Sequence, residues 1–245
     1  MGAVARLLLA APLLLLSASS LLAQNASDPS GHWAGAIHVP PFNGAGSRDI
    51  AIEIDLARTA AGVPSALFSQ PDQHVKGLPL TKVTFEGRNV SFELKANGGG
   101  LFRGTLADAA SMSGELLTAD GGYAIPFTLT RTGDAHVAPA PRSPAIGKEL
   151  EGTWAGTIEV GGKQERLVLK MANHPDGSAS GTILDLDGSN VEIAIAIAQQ
   201  ERSLTIDVAT VGASYVASLT ADARLVGTWK QGSMALPLTF TRGDK

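Results

Sequence analysis

The strongest constraint on the fold is an internal repeat. Segment 31–37, GHWAGAI, recurs as 152–158, GTWAGTI, and segment 124–131, AIPFTLTR, recurs as 235–242, ALPLTFTR. An opening and a closing motif repeated in the same order indicate two tandem copies of one structural unit. We therefore expect one domain at 24–134 and a second at 151–245. Residues 135–150 are rich in Pro and Ala, a composition that predicts an extended, semi-rigid linker.

Inside each copy the hydrophobic pattern has the period of a β-strand. Apolar residues alternate with small or polar ones over 50–56, IAIEIDL, and over 191–198, VEIAIAIA. Turn sequences such as Pro175-Asp176-Gly177 separate these runs. We count about eight or nine short strands in each copy and no convincing helix. Many strands with one apolar face in about a hundred residues predict an all-β fold, either a closed antiparallel barrel or a sandwich.

The N-terminal residues have the pattern of an export signal. Arg6 precedes an apolar run over 7–16, and small residues lead to a cleavage point after Ala23. An uncleaved anchor helix is the alternative, but the apolar run is shorter than the roughly 20 residues that a membrane span needs. Residues 1–23 are thus predicted to be a signal peptide, with no membrane attachment after its cleavage. Because the chain has no cysteine, we expect no lipid anchor and no disulfide, and a periplasmic or secreted location.

Charge and residue types exclude several functional classes. A net charge of −4 provides no basic surface for nucleic acid. Segment 177–181, GSASG, lacks the serine position of a nucleophile elbow, and the five histidines lack the spacing of a zinc motif. We therefore predict no catalytic residue, no metal and no cofactor. The oligomeric state is not predicted.

The repeated motifs resemble those of the lipocalin-like (calycin) barrels. In that superfamily a Gly-x-Trp begins the first strand, and an Arg at the end of the last strand packs over the Trp. Trp33 with Arg131, and Trp154 with Arg242, match this pattern. The resemblance implies two tandem lipocalin-like barrels of about 8–9 strands each. An Arg over an indole face contributes roughly 0.5–2 kcal/mol of cation–π attraction.

The chain also resembles the small β-domain that precedes the catalytic domain in some exported bacterial α/β-hydrolases. Gln70-Pro71-Asp72-Gln73 and the Gly-x-Pro-Leu at 77–80 match it in the first copy, and Gly227-Thr228-Trp229 matches it in the second. The first copy departs at Leu116, where the second has Trp229, and the second copy lacks the Pro-Asp-Gln segment.

Three functions remain open at this stage. The first is a non-enzymatic module that binds a small apolar ligand, because small barrels either fill their interior or hold one ligand. The second is an accessory protein that docks onto another exported protein, such as a hydrolase. The third and weakest is an enzyme. Candidate ligand or partner contacts are Asp72, Gln73 and His74, which form a polar loop, and Trp229. The position of Trp229 on its strand favours the core, and lining a cavity is the alternative.

Overall fold

The protein folds into two antiparallel β-sheets of nine strands each. The computed structural model describes residues 28–41, 44–96, 99–137 and 139–243, so the predicted signal peptide lies outside the described residues. Two short 3-10 turns, Pro71–Gln73 and Ala209–Val211, interrupt the strands. In this part of the chain no helix has the length and apolar character of a membrane span. The all-β prediction, with eight or nine strands per copy, is confirmed.

The strands of the first copy are β1 (Gly31–Val39), β2 (Arg48–Arg58), β3 (Pro64–Gln70), β4 (Val75–Pro79), β5 (Thr81–Glu86), β6 (Asn89–Leu94), β7 (Gly100–Leu106), β8 (Ser111–Thr118) and β9 (Ala124–Gly133). The remaining strands are β10 (Ser143–Pro144), β11 (Gly152–Val160), β12 (Lys163–Asn173), β13 (Ser178–Asp185), β14 (Glu192–Gln200), β15 (Ser203–Val208), β16 (Ala213–Leu219), β17 (Leu225–Gln231) and β18 (Met234–Arg242).

The second copy is a closed barrel with the simplest possible path. Each strand from β11 to β18 pairs with its successor, and β11 pairs with β18, which closes the ring. The two-residue strand β10 adds to β13 on the outside of this ring. Closure leaves no unpaired edge among the eight strands, which removes the exposed hydrogen-bonding groups of an open sheet.

The first copy follows the same path but is only nearly closed. The place of β14 is taken by two shorter strands, since β4 pairs with β3 and β5 pairs with β6. Pro79 ends β4 because it has no N–H to give to a ladder, and Lys82 adopts a positive φ of 51° where the register of β5 shifts. Leu80 bridges the break, and its N–H donates to the carbonyl of Ala66 at 2.9 Å.

One end of each barrel is closed by a tryptophan and an arginine. The Arg242 guanidinium carbon lies 4.1 Å from the ring centre of Trp154, and that of Arg131 lies 4.8 Å from the ring centre of Trp33. Both indoles are fully buried. Each indole N–H donates to the chain just before the first strand, to Pro29 O at 2.8 Å or to Leu150 O at 2.9 Å.

The arginines also bind the chain that crosses this end. Arg242 donates to the carbonyls of Glu149 and Glu151, and Arg131 donates to those of Asp28 and Ser30. We call this the plugged end of each barrel and the opposite one the rim end. The motif glycine is needed here because Gly152 has a φ of +106°, and a Cβ on it would come within 3.1 Å of Arg242 Nη1.

Side chains fill the interior of both barrels. In the first barrel Phe92 stacks on Phe102 with ring centres 4.9 Å apart, and Phe102 contacts Phe127 at 5.4 Å. In the second barrel Tyr215 meets Phe240 edge-on at 5.4 Å. The Tyr215 hydroxyl lies 2.9 Å from the carbonyl oxygen of Leu225, which satisfies its polar atom inside the core. Small barrels of eight strands commonly have this kind of packed interior.

The second half of the predicted linker belongs to the second barrel. Ile146 and Leu150 are buried in its core, and Ser143 pairs with β13. The Asn173 side chain binds both backbone groups of Ile146, at 2.9 Å and 2.8 Å. Residues 143–150 are therefore a packed part of the second unit, whereas the sequence predicted an extended spacer over 135–150.

The two barrels meet at their rim ends. Because successive strands are antiparallel, the turns after β3 and β15 both lie at rim ends. Strand β4 contacts the turn Ala209–Val211, and a Cβ on Gly212 would lie 3.5 Å from His74 Cβ. Val75 and Val211 are both partly buried against the shared apolar core.

We predict that Trp154→Ala costs roughly 3–5 kcal/mol of unfolding free energy, as for other buried aromatics, and more than Trp229→Ala. Arg242→Ala should cost less, and Arg242→Lys nearly as much as alanine, because lysine cannot reproduce two parallel hydrogen bonds. Denaturant unfolding of the single and double variants measures the coupling between Trp154 and Arg242. Touching partners should give a double loss smaller than the sum, and strictly additive losses would contradict the contact.

We also predict that each barrel folds alone. Fragments 24–137 and 139–245 should each unfold cooperatively, since each keeps its own tryptophan, arginine and core. A second-barrel fragment that begins at 151 should melt at a lower temperature than the one that begins at 139, because it lacks buried Ile146 and Leu150. Thermal unfolding by circular dichroism tests this. If neither longer fragment melts cooperatively, the two copies form one inseparable unit.

Candidate functional site

A groove lies at the seam where the two rim ends meet. Its volume is about 450 Å³, within the range of about 300–1,000 Å³ that is usual for small-molecule sites. The first barrel supplies most of the lining through the ends of β6 and β8 and the start of β7, and the second barrel supplies the turn after β13. The lining residues are Glu93, Leu94, Lys95, Ala96, Gly100, Leu101, Leu117, Thr118, Ala119, Asp187 and Gly188. We call this cavity the seam groove.

Two outward-facing leucines provide the apolar part of the seam groove. Leu101 and Leu117 are directly paired across β7 and β8. Their neighbours in sequence, Phe102 and Leu116, are buried in the barrel, so the alternation of the strands places the leucine pair on the outer face. Both leucines are half-buried. The sheet does not need them there, because an outward position contributes nothing to the barrel core.

The second copy shows what the same positions look like without this pair. Phe102 of β7 corresponds to Tyr215 of β16, so Leu101 and Leu117 correspond to Ser214 and Lys230, which are also paired across their strands. Both copies follow the same strand path with different residues at these positions. The leucine pair is thus a property of the groove and not a requirement of the fold.

Two ionised carboxylates border the apolar lining. Hydrogen bonds from the Arg166 side chain and backbone N–H lower the pKa of Asp187 to about 2. Burial alone would raise the pKa of Glu93, but hydrogen bonds from Lys82 and Thr81 outweigh it and lower that pKa. Each carboxylate therefore stays charged at neutral pH and is already matched by a cation, through the ion pairs Lys82–Glu93 and Arg166–Asp187.

The predicted contact residues lie at the same junction but not in the groove lining. Asp72 and Gln73 form the exposed turn after β3, and His74 follows in the left-handed conformation that ends it. This turn lies beside the rim end of the second barrel, as the closeness of His74 to Gly212 shows. Trp229 is buried in the second core, 8% exposed, with its indole N–H directed at Gln231 Oε1 at 3.4 Å. This loop thus lies at the contact between the barrels, whereas Trp229 packs in the second core.

A second cluster has the connectivity of a catalytic triad. His38 Nδ1 lies 2.8 Å from Asp49 Oδ1, and His38 Nε2 lies 2.8 Å from Thr128 Oγ1. Sequence reasoning missed this chain because its members come from β1, β2 and β9. A hydroxyl, an imidazole and a carboxylate in this order are the arrangement that activates a nucleophile in hydrolases.

The surroundings of Thr128 do not complete such a site. Thr128 is paired with Ala36 on β1 and with Ser113 on β8, so its backbone groups are engaged in the sheet. Acyl transfer needs preorganised N–H donors aimed at the developing oxyanion, and the middle of a paired strand offers none at this hydroxyl. Asp49 is also largely exposed, at 69% of its side chain. The chain of hydrogen bonds therefore links three strands on the outer face of the barrel.

A third cluster joins His32, Asp55 and His136. His32 Nδ1 lies 2.8 Å from Asp55 Oδ1, and His136 Nδ1 lies 3.5 Å from the same oxygen. The backbone N–H of His136 also donates to Asp55 Oδ1 at 2.6 Å. The side chain of Asp55 is only 8% exposed, whereas that of His136 is 72% exposed. Sequence spacing could not reveal this cluster, since His136 follows the last strand and His32 lies on the first.

Comparisons with known proteins give no family for the chain. No protein-family model matches it, and no curated protein matches it. Among solved structures it is similar to a protein of unknown function from the DUF3598 family of Nostoc punctiforme. That match has 12% identity and a TM-score of 0.28, and it covers 90% of this chain and 98% of that one.

A candidate outer membrane protein from Bacteroides fragilis is also similar to the chain. It has 11% identity and a TM-score of 0.26, and the match covers 88% of this chain and 97% of that one. At such low TM-scores and identities, neither structure carries an argument about function. The function must therefore be inferred from the chain's own residues.

We predict that the purified mature chain does not hydrolyse short-chain esters, peptides or phosphoesters, because Thr128 lacks an oxyanion site. The assay should compare the unmodified chain with Thr128→Val and His38→Gln, and with His74→Ala as a variant outside the cluster. Saturable turnover that survives repurification and disappears in Thr128→Val would overturn this prediction.

Proposed function

We propose that the protein is an exported, non-enzymatic binding module that holds a small, largely apolar ligand in the seam groove. The observation that carries the proposal is the outward-facing pair Leu101 and Leu117, which lines a cavity of about 450 Å³ between the two barrels. The exposure of apolar side chains to water on an outer strand face is unfavourable in free energy unless something covers them. A ligand would cover them.

The proposal places the ligand outside the barrels. The sequence favoured a ligand module but could not say whether the barrel interior is open. Stacked Phe92 and Phe102, and Tyr215 against Phe240, occupy the interior volume that a buried ligand would need. This packing supports a site at the seam over a site inside either barrel.

The nature of the groove suggests the chemistry of its ligand. Leu94, Leu101 and Leu117 offer apolar contact, while Glu93 and Asp187 are held ionised beside them. A ligand with an apolar body and a neutral polar end fits this combination, because both carboxylates are already paired with cations. Burial of roughly 100 Å² of apolar ligand surface would contribute about 2.5 kcal/mol before the costs of association.

Two further parts of the proposal depend on the chain itself. The Trp33–Arg131 and Trp154–Arg242 contacts support placing both barrels with the lipocalin-like barrels. The apolar N-terminal segment and the lack of cysteine support a periplasmic or secreted location. Docking onto another exported protein is the alternative function, and the same outer leucine face would serve it.

The test is native mass spectrometry of the chain expressed with export, followed by organic extraction of any bound compound. We expect a bound small molecule whose occupancy falls at least about tenfold in Leu101→Ser/Leu117→Lys, the residues found at these positions in the second copy. Val216→Ser, which changes an exposed valine on β16, should leave occupancy unchanged.

Other outcomes separate the alternatives. A ligand retained in full by the double leucine variant would place the site elsewhere and overturn the proposal. Absence of any ligand, together with a stable complex with an exported protein that the leucine variant loses, would favour the docking function.

A further inference from the structure

We infer that His32, Asp55 and His136 form a binding site for a divalent transition-metal ion, of which Zn²⁺ is the representative. Each residue contributes one donor atom, and the three donors lie within 4.8 Å of one another. Imidazole nitrogen and carboxylate oxygen are the donors that zinc sites use besides thiolate. The proposal is independent of the seam groove, since it concerns the plugged end of the first barrel.

Two of the three distances between the donor atoms are close to those of a tetrahedral site. Zinc binds nitrogen and carboxylate oxygen at about 2.0–2.2 Å, so two ligands of a tetrahedral ion lie roughly 3.3 Å apart. The observed separations from Asp55 Oδ1 are 2.8 Å to His32 Nδ1 and 3.5 Å to His136 Nδ1. Small shifts of the side chains would therefore open the space for an ion.

The electrostatics of the cluster favour a cation. Asp55 is a buried carboxylate, and the ion-pairing groups that face it are the two imidazoles. Glu53 adds a further negative charge, with its Oε2 3.9 Å from His32 Nε2. A buried charge is costly unless it is compensated, and a divalent ion would compensate Asp55.

The duplicated fold shows that the barrel does not need this cluster. His32 and Asp55 are paired across β1 and β2, and the equivalent pair in the second copy is Thr153 and Lys170. The second barrel closes with a hydroxyl and a lysine at these positions. A barrel of this kind therefore does not require the imidazole and the carboxylate that the first copy has at these positions.

The positions of the ligands also indicate how an ion could enter the site and what a bound ion would do to the chain. The His136 side chain is largely exposed and lies outside the strands, so it can move to admit an ion. Three protein ligands leave a fourth tetrahedral position for water. Because His32 and Asp55 lie on β1 and β2 and His136 follows β9, a bound ion would fasten the chain where it leaves the first barrel.

The experiment uses tag-free, full-length mature protein that has been treated with chelator. Isothermal titration with Zn²⁺ should show saturable binding of one ion per chain. Hundredfold excess over the dissociation constant should raise the melting temperature of the first barrel by about 10–15 °C. Co²⁺ in place of Zn²⁺ should give the intense visible absorption of a tetrahedral site.

The variants separate this site from binding elsewhere. His32→Gln and His136→Gln should each weaken Zn²⁺ binding at least about tenfold, since even outer partners of a metal site typically contribute about 10–100-fold. His136→Gln should fold normally, because this side chain is exposed, and its melting temperature in chelator checks that. The matched control is His174→Gln, on the second copy, which should bind as the unmodified chain does.

Two results would overturn the inference. One is the lack of saturable Zn²⁺ binding by the unmodified chain. The other is binding that persists unchanged in the His32→Gln/His136→Gln double variant, which would assign the ion to other surface groups.

Discussion

The contact between a buried tryptophan and a strand-end arginine organises both halves of this molecule. Each arginine covers one indole and binds two carbonyls of the chain segment that precedes the first strand. This joins the first strand, the last strand and the incoming chain at one end of the barrel. The seam groove forms at the opposite, rim ends, where turns of the two barrels approach each other.

The sequence predicted what depends on repetition and alternation. The strand count and the two-copy organisation could be read because hydrophobic alternation and turn residues are local signals, and the pairing of Trp154 with Arg242 was implied by the family resemblance. Contacts between distant residues could not be read in this way. His136 lies in a segment without periodicity, and nothing local indicates that its backbone N–H binds Asp55. Ile146 and Leu150 lie in the predicted linker among prolines and alanines, and nothing in that local pattern indicated that both are buried.

Because the chain is duplicated, equivalent positions of its two copies can be compared. Where the copies agree, as at the Gly-x-Trp motif, the shared barrel explains the residues. Where the copies differ on the outer face, the shared barrel does not explain the residues. Leu101 against Ser214, and His32 against Thr153, are differences of this second kind. Aligning the two copies position by position would have singled out both from the sequence, had the strand register been known in advance.

The packing of residues 143–150 on the second barrel shortens the connection between the halves. With His136 bound to Asp55 and Ser143 paired to β13, only residues 137–142 remain to join them. Six residues reach at most roughly 20 Å. The barrels are therefore held at a high effective concentration, and the seam persists even if its own contacts are weak. The lining of the groove can consequently vary without separating the two barrels, because the short tether holds them together.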